Sequence, residues 1–386
     1  MRRIKKMLLP FLLSMVIAVL YGTVSMADAG TAAQIGETGY ASLEAAVAAV
    51  QSGETIVLQE DLAYAEVVSV NRSGISFTLD LNGHTLQFTG SNAYLHIKNG
   101  TVTVKNGTIS NSTDSILKIA SAATVKITSG TYTGMTTNAG KLTVSGGTFN
   151  IAETALALED GTNDLYYYAK AIFTNTGTLK ISKGTFTTPT CRILTNSGTT
   201  TISSGTFKCT YDGFDEQGQL VNIKKGKLTI KGGTFSAKCA VLSAADSSST
   251  VISGKTTFKT TASYALILVT EKAKVKIKKG SFKLSGKNSY SSVILSYSKG
   301  TVSISGGTFT SGGTLVRMGG SGKVNISGGT FKTTKKYPML IAQKSTIKVS
   351  GGKFTASKGY SYQLDGGKVS IGSGASVKSK YGVYKG

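Results

Sequence analysis

Cysteine is scarce in this chain, and long apolar runs are absent after residue 24. The three cysteines are an odd number at spacings of 18 and 30, which match neither a disulfide framework nor a zinc motif. We therefore expect small buried core residues, without a structural disulfide or a bound metal, at Cys191, Cys209 and Cys239. No later apolar run reaches the length of a membrane span, so the mature chain should be soluble or held to a surface non-covalently.

Residues 1–29 contain the three parts of a secretory signal peptide. Basic residues at positions 2, 3, 5 and 6 precede an apolar run from Met7 through Leu20, and Ala27-Asp28-Ala29 supplies the small residues that signal peptidase recognises. We predict export, with cleavage after Ala29. The alternative is an uncleaved membrane anchor, because residues 7–24 approach the length of a span.

Tryptophan is absent and proline occurs three times, whereas glycine occurs 47 times among many threonine, serine, valine and isoleucine residues. This composition favours short β-strands joined by tight turns.

Acidic residues are also rare in the C-terminal part. Residues 223–386 carry a formal net charge of +25, against −6 for residues 30–66 and +2 for residues 67–222. Such a field attracts polyanions in a salt-dependent manner.

A Gly-Thr-aromatic element, usually preceded by a short apolar strand, repeats along most of the chain. Its clear copies carry an aromatic residue at Tyr132, Phe149, Phe186, Phe207, Phe235, Phe282, Phe309 and Phe331, and degenerate copies lie at Ile109, Phe258, Phe354 and Val377. Most spacings are near 23 residues, which is too long for a left-handed coil of about 18 residues. One coil cannot bury its own apolar face, so stacked coils should share a core. We predict an all-β fold, a right-handed parallel β-helix of about 12 coils, over residues 67–386.

Several sequence columns support this register. Alternation within one coil predicts that Val324, Ile326 and Phe331 point inward and that Asn325 and Thr330 point outward. Stacked asparagines of one turn can bond to each other along the solenoid axis, so we predict a structural ladder at Asn138, Asn175 and Asn196.

The first coil of a solenoid exposes an unpaired sheet edge that should be covered. Residues 42–50 read as a short amphipathic helix, with Ser42 as its N-cap and Gly53 beyond its end. We assign residues 30–66, with this helix and the first strand, as an N-terminal cap. No comparable helix is predicted for residues 377–386.

Two segments carry a resemblance to a known group. Residues 53–58, Gly-Glu-Thr-Ile-Val-Leu, follow the predicted helix, and residues 79–86 read Leu-Asp-Leu-Asn-Gly-His-Thr-Leu. This opening resembles secreted right-handed β-helix proteins of the pectate-lyase-like superfamily, and the resemblance covers residues 38–386. It implies the fold, whereas the superfamily includes lyases, hydrolases, adhesins and surface proteins, so it implies no single function.

The resemblance also implies what an enzyme of this kind needs. A lyase requires acidic side chains that converge on calcium and a basic residue that accepts a proton, and a glycoside hydrolase requires clustered carboxyl groups. Two long spacings between repeats hold the candidates Asp160, Asp164, Asp212, Asp215 and Glu216, with Arg192 between them. The alternative is that both insertions are solvated loops without a site. His84 and His96 are interpreted as incidental.

Lysine recurs at two outward sites of the repeat. Lys180, Lys276 and Lys348 occupy one site before the turn, and Lys208, Lys283 and Lys332 directly follow the aromatic residue. Lysine commonly protects exposed β-surface, but that role explains poorly why acids are nearly absent over residues 223–386.

The leading hypothesis is a non-enzymatic extracellular or cell-surface protein whose basic face binds anionic polysaccharides or cell-wall polymers, with no cofactor and no nucleic-acid partner. The alternative is a polysaccharide lyase or glycoside hydrolase at the central acidic insertions, and Ca²⁺ belongs only to the lyase case. A third hypothesis is a threonine surface that organises water or ice. Interrupting lysines and uneven coil lengths argue against that surface.

Overall fold

The computed structural model describes residues 30–152, 170–189, 192–210, 218–262, 264–286 and 288–385. The chain forms an all-β parallel β-solenoid of about 13 turns with one short helix, which confirms the predicted fold class. Within the described ranges, no helix is both long enough and apolar enough to cross a membrane.

Each coil passes through three sheets, and short strands of successive coils pair in parallel. Sheet A precedes the glycine corner and contains β3 (Thr55–Leu58), β9 (Ala123–Ile127), β11 (Lys141–Val144), β14 (Thr178–Ile181), β17 (Thr199–Ile202), β24 (Lys274–Ile277), β27 (Thr301–Ile304), β30 (Lys323–Ile326), β33 (Thr346–Val349) and β35 (Lys368–Ile371). Sheet B follows the corner and contains β4 (Leu62–Tyr64), β6 (Thr85–Phe88), β12 (Thr148–Asn150), β15 (Thr185–Thr188), β18 (Thr206–Cys209), β25 (Ser281–Leu284), β28 (Thr308–Ser311) and β31 (Thr330–Thr333). Sheet C completes the coil with β13 (Phe173–Asn175), β16 (Leu194–Asn196), β19 (Gln219–Ile223), β21 (Ala240–Ala244), β23 (Ala265–Val269), β26 (Ser292–Ser296), β29 (Thr314–Met318) and β32 (Leu340–Gln343).

Eight longer strands bend from one sheet into the next. The strands that join sheet C to sheet A are β5 (Val68–Asp80) and β7 (Leu95–Lys105). The strands that join sheet A to sheet B are β20 (Lys227–Ala237) and β22 (Ser249–Thr260). The strands that join sheet B to sheet C are β8 (Thr108–Ile119), β10 (Thr131–Asn138), β34 (Gly352–Asp365) and β36 (Ala375–Lys385).

The core contains one aromatic column that runs through ten consecutive coils of sheet B. Most neighbouring rings are stacked, with centroids 4.4 to 5.0 Å apart, and Phe258 alone meets both neighbours edge-on. All ten rings are buried: Tyr132, Phe149, Phe186, Phe207, Phe235, Phe258, Phe282, Phe309, Phe331 and Phe354. The prediction that the phenylalanines at positions 149, 186, 207, 235, 282, 309 and 331 form one inward stack is confirmed, and the structure adds the rings at positions 132, 258 and 354. Cys209 and Cys239 are buried core residues as predicted, and Cys191 lies outside the described residues.

The glycine of the repeat is required by the corner between sheets A and B. Gly184 and Gly205 have φ angles of +133° and +132°, in the region that side-chain-bearing residues rarely adopt. A Cβ atom at Gly184 would also lie 2.9 Å from the ring of Phe186. The Gly-Thr-aromatic motif therefore combines a corner that only glycine fits, an outward threonine and an inward ring.

The predicted asparagine ladder and side-chain alternation are both confirmed. Asn138 Nδ2 donates to Asn175 Oδ1 at 2.6 Å, and Asn175 Nδ2 donates to Asn196 Oδ1 at 2.8 Å, with all three side chains buried. In a later coil Val324, Ile326 and Phe331 are buried, whereas the side chains at positions 325 and 330 are exposed. The ladder satisfies polar groups that would otherwise be costly to bury.

Helix α1 (Leu43–Ala49) covers the first coil, and Ser42 Oγ accepts the N–H of Ala45 at 3.1 Å as the predicted N-cap. Arg72 Nη1 donates to the carbonyl oxygens of Val47, Ala48 and Val50, which closes the C-terminal end of the helix. A hairpin that the sequence pattern did not predict completes the cap, formed by β1 (Ala33–Ile35) and β2 (Thr38–Tyr40), and β1 pairs antiparallel with β3.

Candidate functional site

The six candidate lysines are exposed and lie in two columns, as the repeat predicted. Lys180, Lys276 and Lys348 occupy one outward column of sheet A, where the intervening coils contribute uncharged residues. Lys208, Lys283 and Lys332 occupy one outward column of sheet B, where Lys259 lies directly beside Lys283. Their positions are therefore shown, and their role in binding stays a prediction.

A further lysine column was missed from the sequence. This column lies at the first residue of the sheet A strands, two residues before the column of Lys276. Lysine alternates there with serine or threonine through seven coils. Its lysines are Lys227, Lys274, Lys323 and Lys368. The sequence signal that could have identified them is a lysine directly before the first inward apolar residue of a strand. This signal can be interpreted only when the strand register is known.

These columns are not neutralised by neighbouring acids. The two ion pairs among the described residues, Lys105 with Asp80 at 3.0 Å and His84 with Asp61 at 3.3 Å, both lie in the N-terminal coils. Asp246 and Glu271 bond to each other, and this hydrogen bond and the repulsion between the two carboxyl groups raise the pKa of Glu271. Sheets A and B of the later coils therefore present a basic surface, which we call the lysine face: Lys227, Lys274, Lys276, Lys283, Lys323, Lys332, Lys348 and Lys368.

A shallow groove of about 880 Å³ follows the glycine corner between sheets A and B. It spans the coils from Gly130 to Lys255 and is lined by threonine hydroxyls and glycine backbone, with Lys183 and Lys255 on its walls. Six coils at a rise of about 4.8 Å give a length of roughly 24 Å. Such a groove can receive an extended polymer that offers hydroxyl and anionic groups.

The threonines of this groove belong to a longer column. Outward threonine occupies the same position of sheet B in eight consecutive coils, from Thr85 to Thr257, before Ser281 interrupts it. The adjacent outward column contains lysine from Lys208 onward. The lysines therefore limit any flat threonine surface to the N-terminal half.

The acidic candidates Asp160, Asp164, Asp212, Asp215 and Glu216 lie outside the described residues. The described ends of the two insertions show where they leave the solenoid: residues 153–169 join β12 to β13, and residues 211–217 join β18 to β19. Both therefore leave at the corner between sheets B and C. Arg192 lies at the same corner on the coil between them, and its Nη2 donates to Gln219 Oε1 at 3.1 Å.

The histidines show no metal-binding arrangement. Among the described residues, no group of three or more His, Cys, Asp or Glu side chains could hold a metal ion. Desolvation by burial, followed by the charges of Lys98 and Lys118, lowers the pKa of His96. His84 is half-buried, and its Nδ1 faces a carboxylate oxygen of Asp61.

Comparisons of the chain with models of protein families, with curated proteins and with solved structures found no match. The assignment of function therefore depends on the geometry described above.

Proposed function

We propose that the mature chain is an extracellular or cell-surface protein that binds anionic polysaccharides without catalysis, through the lysine face. The observation that carries this proposal is the set of in-register lysine columns on sheets A and B, with no acidic partner among the described residues. The signal-peptide pattern of residues 1–29 and the resemblance to the secreted pectate-lyase-like superfamily support export.

A repeating polyanion fits this face because the lysines also repeat. Lysines that alternate with hydroxyl residues along one column are two coils apart, or about 9.6 Å at a rise of about 4.8 Å per coil. A polymer aligned with the solenoid axis meets several lysines in succession, and each exposed ion pair contributes only about 0.5 kcal/mol. Affinity then depends on many simultaneous weak contacts, which is the regime of multivalent binding.

The test measures binding of the mature protein to polygalacturonate, a heparin-like glycan and teichoic-acid-bearing walls, with neutral dextran as the control polymer. The combined Lys→Gln changes at positions 276, 283, 332 and 348 should weaken binding about 30-fold, since four contacts of about 0.5 kcal/mol sum to about 2 kcal/mol. Salt should weaken binding steeply, because exposed charges are screened over about 8 Å at physiological ionic strength.

A control variant carries Lys→Gln changes at positions 98, 126 and 141, which are exposed lysines of the N-terminal coils. It should retain most of the affinity, because its changes leave the lysine face intact. Equal losses in both variants would show only a dependence on net charge. Binding that ignores salt and the lysine changes would contradict the proposal.

The second candidate function is a polysaccharide lyase or glycoside hydrolase at the insertion corner. The observation that favours it is that both acidic insertions leave the solenoid at one corner, with Arg192 between them. Assays for unsaturated uronate and for new reducing ends test it directly. Activity that is lost in Asp160→Asn or Asp215→Asn variants would support this function, and inactivity on uronate polymers and neutral glycans would contradict it.

A further inference from the structure

The outward side chains of sheet C change from polar to mainly apolar in its later coils. Its outward column contains Thr195 and Asn222 in earlier coils, and then Leu268, Leu295, Arg317 and Ile341. Leu295 and Ile341 are buried although they occupy outward positions. Arg317 therefore places a charge between two apolar neighbours in the later coils of this column, on a face separate from the lysine face.

Two exposed tyrosines of the preceding coil accompany Arg317, and both interact electrostatically with its guanidinium group. Its Cζ lies 6.0 Å from the ring centroid of Tyr290, and its Nη2 donates to the carbonyl oxygen of Ser289. The ring of Tyr297 lies against Gly319, where a Cβ would be only 3.0 Å from Tyr297 Cδ1. Tyr290 and Tyr297 are 68% and 40% exposed, so both rings offer apolar surface to solvent beside a positive charge.

Arg317 has no carboxylate partner among the described residues. Its Nε is buried without a hydrogen-bond partner there. Asp365, an acid whose charge acts on it, accepts hydrogen bonds from Gln343 and Gln363 instead. Burial lowers the pKa of the Arg317 guanidinium, and attraction from Tyr297 and Asp365 only partly offsets it. A half-buried guanidinium is costly unless it is paired, so a carboxylate partner would stabilise it beyond its bond to the Ser289 carbonyl oxygen.

We propose that Arg317, Tyr290 and Tyr297 form a subsite for one carboxylated sugar unit. The planar guanidinium suits a carboxylate, and an aromatic ring packs against the C–H face of a pyranose, so the two chemistries together select an acidic sugar over its neutral parent. The subsite rests on the proposed binding of anionic polysaccharides and would add recognition of an individual unit to the charge-driven binding on the lysine face.

The experiment uses ligands too short to extend from sheet C to the lysine face. Saturation-transfer NMR and titration calorimetry would compare glucuronic and galacturonic acid with glucose and galactose. The wild-type chain should bind the acids and show no measurable binding of the neutral sugars. Arg317→Gln should weaken acid binding at least about tenfold, since it removes a charge-assisted hydrogen bond. Tyr290→Ala should weaken it less and Tyr290→Phe should retain it, because packing needs only the ring.

Lys98→Gln is the matched control, because it removes one exposed positive charge outside both the lysine face and the subsite and should leave binding of the short acids unchanged. Arg317→Lys keeps the charge but lacks the planar fork and should also bind weakly, which separates the effect of the fork from that of the charge. Both variants should retain salt-dependent binding of anionic polymers through the lysine face, which excludes a folding defect as the cause. Equal binding by wild type and Arg317→Gln would overturn the subsite. If the wild type binds polymers salt-dependently but no short acid, the subsite fails and the proposed function stands. If it binds no anionic polymer, the proposed function fails.

Discussion

Removal of one ring from the aromatic column should destabilise the solenoid locally and strongly. Phe207 is 1% exposed, and its ring stacks at 4.7 Å on Phe186 and at 4.4 Å on Phe235, with interplanar angles of 9° and 4°. Phe→Ala changes in cores cost about 3–5 kcal/mol, and less where the surroundings collapse into the cavity. The ladder hydrogen bonds hold neighbouring coils about 4.8 Å apart. Collapse is therefore limited, and we expect about 4–5 kcal/mol for Phe207→Ala.

Two companion variants separate the contribution of ring stacking from that of apolar volume and from the effect of a surface change. Phe207→Leu keeps most of the apolar volume and loses two ring pairs worth about 1 kcal/mol each, so it should cost about 2 kcal/mol. Lys208→Gln, at the next residue of β18, is exposed and should remain within about 0.5 kcal/mol of the wild type.

Urea unfolding gives the free energy of unfolding, and hydrogen exchange gives its distribution along the chain. Coils of a solenoid contact only their neighbours, so the loss of protection should centre on β15, β18 and β20 and leave β33 nearly unchanged. A cost under about 1 kcal/mol for Phe207→Ala, or a loss of protection spread evenly over all coils, would refute the reasoning about the column.

Three further outcomes follow from particular contacts. Asn175→Ala should cost about 2–3 kcal/mol in urea unfolding, because buried amide groups of Asn138 and Asn196 lose a partner; a cost near zero would contradict a structural ladder. Burial raises the pKa of the Asp80 carboxyl, but hydrogen bonds from Lys105, the Asn82 amide and Asn106 outweigh it and hold the pKa below its ordinary value. This stabilisation is present above about pH 4 and is lost as the pH falls through the folded-state pKa. The free energy of unfolding of Asp80→Asn should therefore depend less on pH at acid pH than that of the wild type. An unchanged dependence would contradict the role of the Asp80 carboxylate. Arg72→Met should lower the thermal stability of the cap and reduce exchange protection in α1, because two helix carbonyls and the C-cap carbonyl of Val50 lose their donor. Unchanged protection in α1 would exclude that role.

The core of this fold could be predicted from the sequence because each inward column recurs once per coil. The Gly-Thr-aromatic motif around Phe309 and Phe331 predicts the aromatic column, and strict alternation along the strand predicts that Val324 and Ile326 are also buried. The asparagine ladder was accessible for the same reason. In each case the contact joins equivalent positions of neighbouring coils, so the sequence period alone identifies both partners.

The contacts that escaped prediction join positions that are not equivalent. The β1 and β2 hairpin depends on antiparallel pairing with β3, which leaves no repeat in the sequence. The column of Lys274 and Lys323 needs the strand register, because these lysines stand at strand starts. Arg317 lies near Tyr290, in the loop before β26 of the preceding coil, and interacts electrostatically with Tyr297, which directly follows that strand. Neither the sequence period nor the composition predicts such a cluster, because its members occupy different positions of the repeat.

The alternation of lysine with hydroxyl residues explains how so much charge of one sign accumulates on this solenoid. Two lysines on adjacent coils, about 4.8 Å apart, repel by about 0.9 kcal/mol in water, whereas two coils of separation reduce this to about 0.4 kcal/mol before screening. Most lysines of sheet A, such as Lys274 and Lys323, take the larger spacing, and Lys259 beside Lys283 is an exception on sheet B. Because the inward columns fix the fold, the outward columns can concentrate charge at little cost in stability. The basic surface is therefore set by the outward residues independently of the fold, and lysine changes on it should alter affinity for polyanions far more than the free energy of unfolding.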